Sequence, residues 1–400
     1  VFNNEGMRPA LGSEFLVSRN FPEDVQGQFT YACVINMNGF PRFSVNNDGG
    51  GFHGERLKNA DGTPDDLIKS SDKHFRPADP QIGPDGAMWF GDWANALIGH
   101  MQYSQRDPNR DHTRGRIYRL VYPSRPMVTP AIQYGKSVPE ILEQLREYEW
   151  RTRYRARREL HDRATADVFP AVAAWVHGLK TDDPEFDRLR TEALWIQQAH
   201  HQIDRELLAS VLKASSSDAR AAVVRVLSDE RESIAEAQEM LMAAAQDEHP
   251  RVRTEAARGL SFFDNIEAAT TLLAMTKFPA DYWVDYTVQH ALGANEKTWR
   301  GDYIAGKIPD LAPRANEIVT KLMEASKSGA AALPFLQTLM SQQPKPEEER
   351  NKAMTALSDL QGDAARGREV FVRNCTACHR VGDGEGREFG PNLAGVAKRM

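Results

Sequence analysis

The first third of the chain predicts short β-strands joined by tight turns. Residues 29–35 are rich in β-branched and aromatic side chains, and 40–45 gives a second strand closed by the Asn- and Gly-rich run 46–51. A Pro-Asp-Gly turn leads into a strand over 87–93, and polar and apolar residues alternate over 116–120. Short strands with such turns indicate either propeller blades or a β-sandwich.

After Pro126 the pattern becomes helical and repeats itself. Four similar segments are anchored by arginines that lie 37, 30 and 33 residues apart: Arg153, Arg190, Arg220 and Arg253. A weaker fifth segment follows at 283–292. Repeats of this length predict pairs of helices that bury their apolar faces only against their neighbours.

One repeat carries a family resemblance. Asp247 to Ala257 resembles the second helix of a HEAT repeat, with Pro250 in the first helical turn and small alanines that allow close packing. The resemblance implies a HEAT-like α-solenoid over residues 126–340, with a scaffolding or docking role.

The densest chemistry lies near the end of the chain. After a polar, proline-bearing linker and a helix over 341–361, the chain reads Cys375-Thr376-Ala377-Cys378-His379. Two cysteines three apart, followed at once by histidine, are typical of c-type haem attachment. The thiols add to the two vinyl groups of the porphyrin, and the imidazole ligates the iron.

Two other interpretations fit this motif less well. A structural zinc site needs a second pair of ligands, and Cys33 is the one further cysteine in the chain. A thioredoxin-like motif opens a helix after a strand in a βαβ unit, and the sequence predicts no such unit here.

The surroundings of the motif resemble a class I cytochrome c, an all-α domain. Residues 362–371 are similar to its first helix, in which the residues matching Gly367 and Phe371 pack against the last helix. Gly390-Pro391-Asn392-Leu393 also matches. The resemblance implies that the Pro391 carbonyl accepts a hydrogen bond from His379, which orients this ligand and strengthens its donation to iron.

The ends of the chain suggest a piece of a longer protein. Met400 lies 21 residues after His379, earlier than the sixth ligand of the family, so we expect the cytochrome module (362–400) to be truncated and Met400 to be no ligand. At the other end, the sequence opens at Val1 without an initiator methionine or the basic and apolar regions of a signal peptide.

A second resemblance covers residues 10–122. The run from Phe75 to Trp93, with 98–100 and 106–119, is similar to the closing blades of the sugar (sorbosone/glucose-type) dehydrogenase-like propellers of planctomycete and verrucomicrobial haem-binding proteins. It implies that residues 1–125 are the C-terminal blades of a β-propeller. It also implies sugar or alcohol oxidation, with pyrroloquinoline quinone and calcium as cofactors.

The loop 107–115 offers candidate polar groups. Asp107, Asn109 and Asp111 alternate as in an EF-hand, but His112 and Tyr118 replace the required Gly and Glu. A salt-bridged loop is favoured over a different calcium geometry. Three further side chains have two possible roles: they either face a substrate at the propeller mouth or hold the closing blade in place by hydrogen bonds. They are His100, Arg106 and His112.

Other notable residues have simpler interpretations. The pair His200-His201 is expected to lie on a polar helical face with one hydrogen-bonded histidine, rather than in a metal site. Four tryptophans are expected in the core: Trp175, Trp195, Trp283 and Trp299.

Composition and charge add few constraints. With 41% hydrophobic and 26% charged residues the chain is typical of globular proteins, and its net charge of −6 favours neither nucleic acid nor an anionic membrane. The longest uncharged apolar run, 168–176, is too short to span a bilayer. Haem c attachment takes place outside the cytoplasm, which predicts a periplasmic or otherwise exported protein.

The sequence therefore predicts a multidomain chain: propeller fragment, α-solenoid, and the start of a cytochrome c domain. The leading hypothesis is that the propeller oxidises a sugar or alcohol and the haem passes the electrons to an acceptor protein or another cytochrome. The alternative is a non-catalytic scaffold that binds a partner or polysaccharide and uses the haem as a relay or redox sensor.

Overall fold

A computed structural model describes residues 8–97, 107–108, 110–308, 313–327, 363–374, 380–381 and 384. The described residues divide into two compact units. The larger takes in those up to Leu97 and those from Asp111 to Asn316. The smaller takes in those within 98–110 and those from Glu317 onward.

The N-terminal part of the larger unit is rich in β-sheet. Its strands are β1 Arg8–Leu16, β2 Gln28–Ile35, β3 Gly39–Phe40, β4 Arg42–Asp48, β5 Gly51–Arg56, β6 Ile68–Lys69, β7 Pro77–Ile82, β8 Met88–Asp92 and β9 Arg116–Leu120. Six of them form a sheet in the order β5-β4-β2-β3-β6, with β1 also paired to β2. The other three form an antiparallel meander, β7-β8-β9.

One apolar core joins the two sheets. Leu16 from β1, Phe40 from β3, and Ile82 and Phe90 from β7 and β8 are all buried in the same cluster. The Phe40 and Phe90 rings meet edge to face, 4.7 Å between centroids. These side chains stand on alternate strand positions, so each sheet turns one face inward.

The predicted strands are present, with one difference in the second. Pro41 interrupts it, since proline has no N–H for the ladder, and pairing resumes at Arg42. Residues 46–51 were expected to close this strand, but the strand continues to Asp48. β5 then pairs antiparallel with β4, with Asn46 opposite His53. The result is a hairpin, β4–β5, with its tip at Gly49 and Gly50.

The remainder of the larger unit is helical. Its helices are α1 Val138–Glu143, α2 Trp150–His161, α3 Thr165–His177, α4 Phe186–Ala199, α5 Arg205–Val211, α6 Ser217–Asp229, α7 Ala237–Ala244, α8 Pro250–Leu260, α9 Ile266–Ala274, α10 Tyr282–Ala294 and α11 Glu296–Ile304. Two more helices follow in the described residues, α12 Pro313–Lys327 and α13 Ala364–Asn374. The repeat segments predicted from the sequence fall on α2, α4, α6, α8 and α10.

The anchoring arginines show why the repeat is visible in the sequence. Arg153 Nη1 donates to the Glu147 and Tyr148 carbonyls at 2.7 and 2.8 Å. Arg220 and Arg253 make the same paired bonds to carbonyls five and six residues earlier. Each guanidinium thus ties the entry of its helix to the connection before it, where backbone oxygens need donors.

Arg190 departs from this pattern. It pairs with Asp187 and donates to Ser210 Oγ at 3.1 Å. Asp187 in turn accepts from the Ser216 N–H at 3.0 Å and the Ser215 hydroxyl at 2.9 Å. The second repeat is therefore held to the third by a carboxylate rather than to its own entry by carbonyls.

The sheet region and the helical array are joined by buried polar contacts. Glu14 of β1 is buried and accepts from Arg151 Nε of α2 and the Ile82 N–H, both at 2.9 Å. Burial raises the pKa of Glu14, and these donors oppose the rise. At α10, Asp281 Oδ2 accepts from the Gly50 N–H at 2.9 Å.

Glycine permits the approach of the hairpin tip to α10. A Cβ on Gly51 would lie 2.5 Å from the Trp283 ring, a distance that side-chain carbons do not tolerate. The Trp283 indole N–H also donates to Asp48 Oδ2 at 3.1 Å. The β4–β5 hairpin is therefore docked on the fifth repeat.

None of the helices in the described ranges is both long and apolar enough to cross a membrane.

Candidate functional site

The proposed haem-binding residues lie outside the described residues: Cys375, Cys378, His379 and Pro391. The structure describes the helix that leads to them. Asp363 Oδ1 accepts from the Ala365 and Arg366 N–H groups, which caps α13, and the helix runs to Asn374, one residue before Cys375. Phe371, expected to pack in the cytochrome fold, is half-buried in this helix.

The donor set suits a covalent haem. Two thiols and one imidazole stand within five residues directly after the capped helix α13, which is the order of groups that c-type attachment uses. The two thiols would attach the porphyrin through thioether bonds, and the imidazole is the usual proximal ligand of iron. The residues present therefore fit the group.

The loop 107–115 is an internally bonded turn where it is described. Asp111 Oδ1 accepts from the Thr113 N–H and hydroxyl at 2.9 and 3.0 Å and from the Arg114 N–H at 3.1 Å. The hydrogen bond from the Thr113 backbone is the largest effect and holds the pKa of Asp111 below its usual range. Asp111 Oδ2 also lies 3.6 Å from Arg114 Nε, so the described part of the loop contains a salt bridge as expected.

His100 and Arg106 lie outside the described residues, while His112 is exposed. Two other side chains contribute to the closure of the three-stranded sheet. Asp92, at the end of β8, is buried and accepts from the Arg76 N–H, the Ala94 N–H and Arg116 Nε, each at 2.8 Å. Asp92 and Arg116 therefore join β7, β8 and β9, a role that sequence analysis did not assign.

Near this closure the backbone is unusual at one position. Ala94 has a φ of 46°, in the left-handed region that a Cβ disfavours. The bond from its N–H to Asp92 and the neighbouring Asn95 side chain, which donates to the Asp111 carbonyl at 3.3 Å, hold it there. The strained turn is fixed by the same network that closes the sheet.

The histidine pair lies in the turn directly after α4 and not on a helical face, and His200 is hydrogen-bonded as expected. His200 lies 3.0 Å from Thr165 Oγ1 through Nδ1 and 3.0 Å from the Leu160 carbonyl through Nε2. Both ring nitrogens are therefore engaged with the protein. Among the described residues, no group of three His, Cys, Asp or Glu side chains is placed to hold a metal ion.

The expectation of four core tryptophans is confirmed for Trp299 and wrong for the other three. Trp299 is fully buried and donates to the Leu292 carbonyl at 2.9 Å, but Trp195 is 36% exposed. Trp175 and Trp283 are half-buried and bond to Glu143 and Asp48. Burial was expected because most tryptophans on helices are buried. On α4, however, Trp195 faces the β4–β5 hairpin.

Three family matches account for much of the chain. Residues 3–124 match a domain of unknown function (DUF7133), residues 205–293 match HEAT repeats, and residues 364–400 match cytochrome c. The chain thus has a sheet-rich region, a helical solenoid-like region with HEAT repeats, and a C-terminal cytochrome c domain. The cytochrome c match indicates haem c and electron transfer.

Two plant cytochromes c are among the individual relatives. The chain is 46% identical to cytochrome c of Stellaria longipes over 39 residues, and 45% identical to that of Arabidopsis thaliana over 40 residues. Each match covers 10% of this chain, and the chain spans 36% of the length of each relative.

Among solved structures, two engineered proteins are similar to part of the chain. They are 18% and 17% identical to it, with TM-scores of 0.30 and 0.28. The matches cover 47% and 48% of this chain and 98% and 97% of the engineered chains.

Proposed function

We propose that this chain is a c-type haem protein that passes single electrons to a partner protein. The observation that carries the proposal is the Cys375-Thr376-Ala377-Cys378-His379 motif, placed inside the cytochrome c match and directly after helix α13. Bound haem would supply a one-electron iron couple.

Each residue of the motif has a defined role in this proposal. Cys375 and Cys378 hold the porphyrin through two thioether bonds, and His379 donates a ring nitrogen to the iron. The Pro391 carbonyl would accept a hydrogen bond from the other ring nitrogen of His379, which would fix the ring orientation and strengthen its donation to iron. Since the machinery that attaches haem c works outside the cytoplasm, the protein would be periplasmic or otherwise exported.

The proposed electron source is a substrate oxidised by a sugar or alcohol dehydrogenase-like propeller, of which residues 1–125 would be the closing blades. The antiparallel meander β7-β8-β9 supports this part, because an up-and-down sheet is the unit of a blade. Pyrroloquinoline quinone and calcium belong to this proposal alone.

The second candidate is a binding scaffold with a haem relay. A specific observation favours it: a groove lined in part by aromatic and arginine side chains lies between the β4–β5 hairpin and helices α4, α6 and α8. Solenoids use such surfaces to bind extended partners.

Spectroelectrochemistry distinguishes the dehydrogenase proposal from the scaffold proposal. The holoprotein should show one reversible one-electron transition of its haem bands. Addition of sugars or alcohols, with pyrroloquinoline quinone and calcium supplied, should then reduce the haem if the dehydrogenase proposal holds. Reversible titration without reduction by any of these substrates supports the scaffold, and the absence of any redox transition overturns both.

A further inference from the structure

The β4–β5 hairpin has a firmly held root. At the root, β4 pairs with β2 through Arg42 and Phe43, and Phe43 is fully buried. Arg56, the last residue of β5, bonds to Asp66 at 2.6 Å, and these two side chains are 10% and 6% exposed. The root is therefore fixed to the sheet by strand pairing, apolar burial and a buried ion pair.

The outer half of the hairpin, residues 44–55, is a two-stranded ribbon. Within the described strands, residues 44–48 pair with β5 alone, from Ser44 opposite Glu55 to Asp48 opposite Gly51. Five residue pairs give the ribbon a length of about 17 Å. Two-stranded ribbons are only marginally stable by themselves, so this one depends on what it contacts.

The outer half buries almost none of its own residues. Gly50 is the one buried residue between 44 and 55, and seven of the other eleven are exposed. The largest apolar side chain in this stretch, Phe52, is 44% exposed. Segments with few buried apolar contacts open at a low free energy, because opening exposes little apolar surface to water.

Two hydrogen bonds hold the tip of the hairpin on α10. The Gly50 N–H donates to Asp281 Oδ2 at 2.9 Å, and the Trp283 indole N–H donates to Asp48 Oδ2 at 3.1 Å. Water can replace either partner when the tip lifts, so the net free energy of each bond is small. These bonds orient the tip without locking it.

The tip also fits closely against side chains of α8 and α10. A Cβ on Gly50 would lie 2.4 Å from Thr254 Oγ1 and 3.1 Å from Val284 Cγ2, and a Cβ on Gly51 would lie 2.5 Å from the Trp283 ring. Glycine therefore gives the tip a matching seat, with no side chain that has to be buried or withdrawn.

We propose that residues 44–55 form a strap, which opens as one unit about its root while the sheet region and the helical array stay folded. The hinge lies where the ribbon leaves the sheet, between Phe43 and Ser44 and between Glu55 and Arg56. Opening breaks the two hydrogen bonds at the tip, while the pairing between β4 and β5 moves with the strap.

The strap forms one side of the groove between the hairpin and helices α4, α6 and α8. Phe52 of the strap and Trp195 of α4 both line this groove, with Ala221 and Ala222 of α6. Arg251 of α8 lies 5.4 Å from the Phe52 ring. Because Phe52 moves with the strap, opening turns a groove of about 300 Å³ into an open helical face. The strap thereby controls access to this face, independently of haem binding.

Native-state hydrogen exchange of the full chain, measured by mass spectrometry at low urea concentrations, tests the strap. The paired amides of 44–55 should exchange through an opening with little urea dependence, because little surface is exposed. Amides of β2, a largely buried strand of the same sheet, should require an opening with much larger urea dependence. Equal opening free energies and urea dependences in the two segments would overturn the proposal. Absence of any protection in 44–55 would overturn it too, since the closed form would not exist.

Gly50→Ala tests the seat directly. Gly50 does not have a positive φ, so alanine adds a Cβ without backbone strain. The Cβ would crowd Thr254 and Val284 in the closed form but meet water in the open form, which favours opening. Exchange of the paired amides in 44–55 should accelerate about tenfold or more.

Gly91→Ala is the matched control. Gly91 lies in β8, also without a positive φ, and a Cβ there would lie 3.9 Å from the Ala78 carbonyl oxygen, an ordinary contact. Exchange of the amides in 44–55 should match the wild type in this variant. Unchanged exchange in Gly50→Ala, or equal acceleration in both variants, would overturn the proposal.

Discussion

Arginine has two separate roles at the residue scale, and its position within each repeat decides which. At the anchoring position, Arg153, Arg220 and Arg253 satisfy backbone carbonyls. At positions farther along the helix, Arg157 and Arg225 bind buried glutamates and stay partly exposed. The first role is structural and gives the repeat its sequence period, while the second shapes a surface.

The Arg220–Asp247 pair gives a test of the structural role. Arg220 Nε and Nη2 donate to the two oxygens of Asp247 at 2.8 and 2.9 Å, and the side chains are 10% and 15% exposed. Asp247→Asn should lower the free energy of unfolding by about 1.5–3 kcal/mol at pH 7 because a charge-assisted bidentate bond is lost. Urea denaturation measures the change.

The same variant should alter the pH dependence of stability. Burial alone raises the pKa of Asp247, but the bonds from Arg220 and the His249 N–H outweigh it and hold the pKa below the usual 3.8. The unfolded chain therefore takes up the proton first, so this stabilisation is present above pH 3.8 and is lost as the pH falls through the lower folded value. The gap between wild type and Asp247→Asn should narrow on acidification.

Asp229→Asn is the control for this pair. Asp229 bonds to Arg258 at 3.1 Å, but the two side chains are 40% and 38% exposed. Asp229→Asn should lower the free energy of unfolding by less than about 0.5 kcal/mol, as expected of solvent-exposed pairs. Equal losses in the two variants would contradict the role given to Arg220 and Asp247.

At the scale of elements, the helices were more predictable than the strands. The repeat helices recur with the same arginine in the same local bond, so sequence similarity reports structure directly. Strand β7 carries Pro77 and Pro80, residues that argue against a strand. Asp79 has a φ of 49°, and the register of β7 against β8 shifts between Ala78 and Gln81, the stretch that contains Pro80. The strand forms because β7 pairs with β8 on both sides of this shift.

Strand β5 was missed for a related reason. Its sequence, Gly51–Arg56, is mostly polar and has no apolar face to predict burial. It is held by pairing with β4 and by contact of the hairpin tip with α10, and neither is visible locally. The groove was missed too, because Trp195 has the pattern of a core residue and the hairpin that faces it was not predicted.

Docking of the hairpin can be tested at Asp281. This residue caps α10 through Oδ1, which accepts from the Trp283 and Val284 N–H groups, and holds Gly50 through Oδ2. Asp281→Ala should destabilise the protein by about 1–2 kcal/mol through the lost cap. It should also expose the hairpin tip to limited proteolysis.

Asp204 provides the matched control. It caps α5 through Oδ1, which accepts from the Glu206 and Leu207 N–H groups, and within the part of the chain that the structure describes no hydrogen bond joins it to the hairpin. Asp204→Ala should lower the free energy of unfolding by a similar amount, but limited proteolysis should cleave residues 42–56 no faster than in the wild type. Faster cleavage in both variants, or in neither, would contradict the docking of the hairpin by Asp281.

At the scale of the whole molecule, the chain combines three parts with different means of stabilisation. The sheet region and the helical array are tied by Glu14–Arg151 and Gly50–Asp281 within one compact unit. The cytochrome c domain belongs to the other unit and carries the motif on which the proposed electron transfer depends. Its motif residues were assigned from the sequence alone, because covalent attachment needs a fixed local order of side chains.

The proposed electron transfer depends on covalent haem attachment by Cys375 and Cys378. The direct measurement is a haem-stained denaturing gel of protein expressed with the attachment machinery. The wild type should stain, and Cys375→Ala/Cys378→Ala should not. Cys33→Ala is the matched control, since Cys33 is a buried free cysteine in β2, and it should stain as the wild type does. A stained band in the double variant, or none in the wild type, would contradict the account.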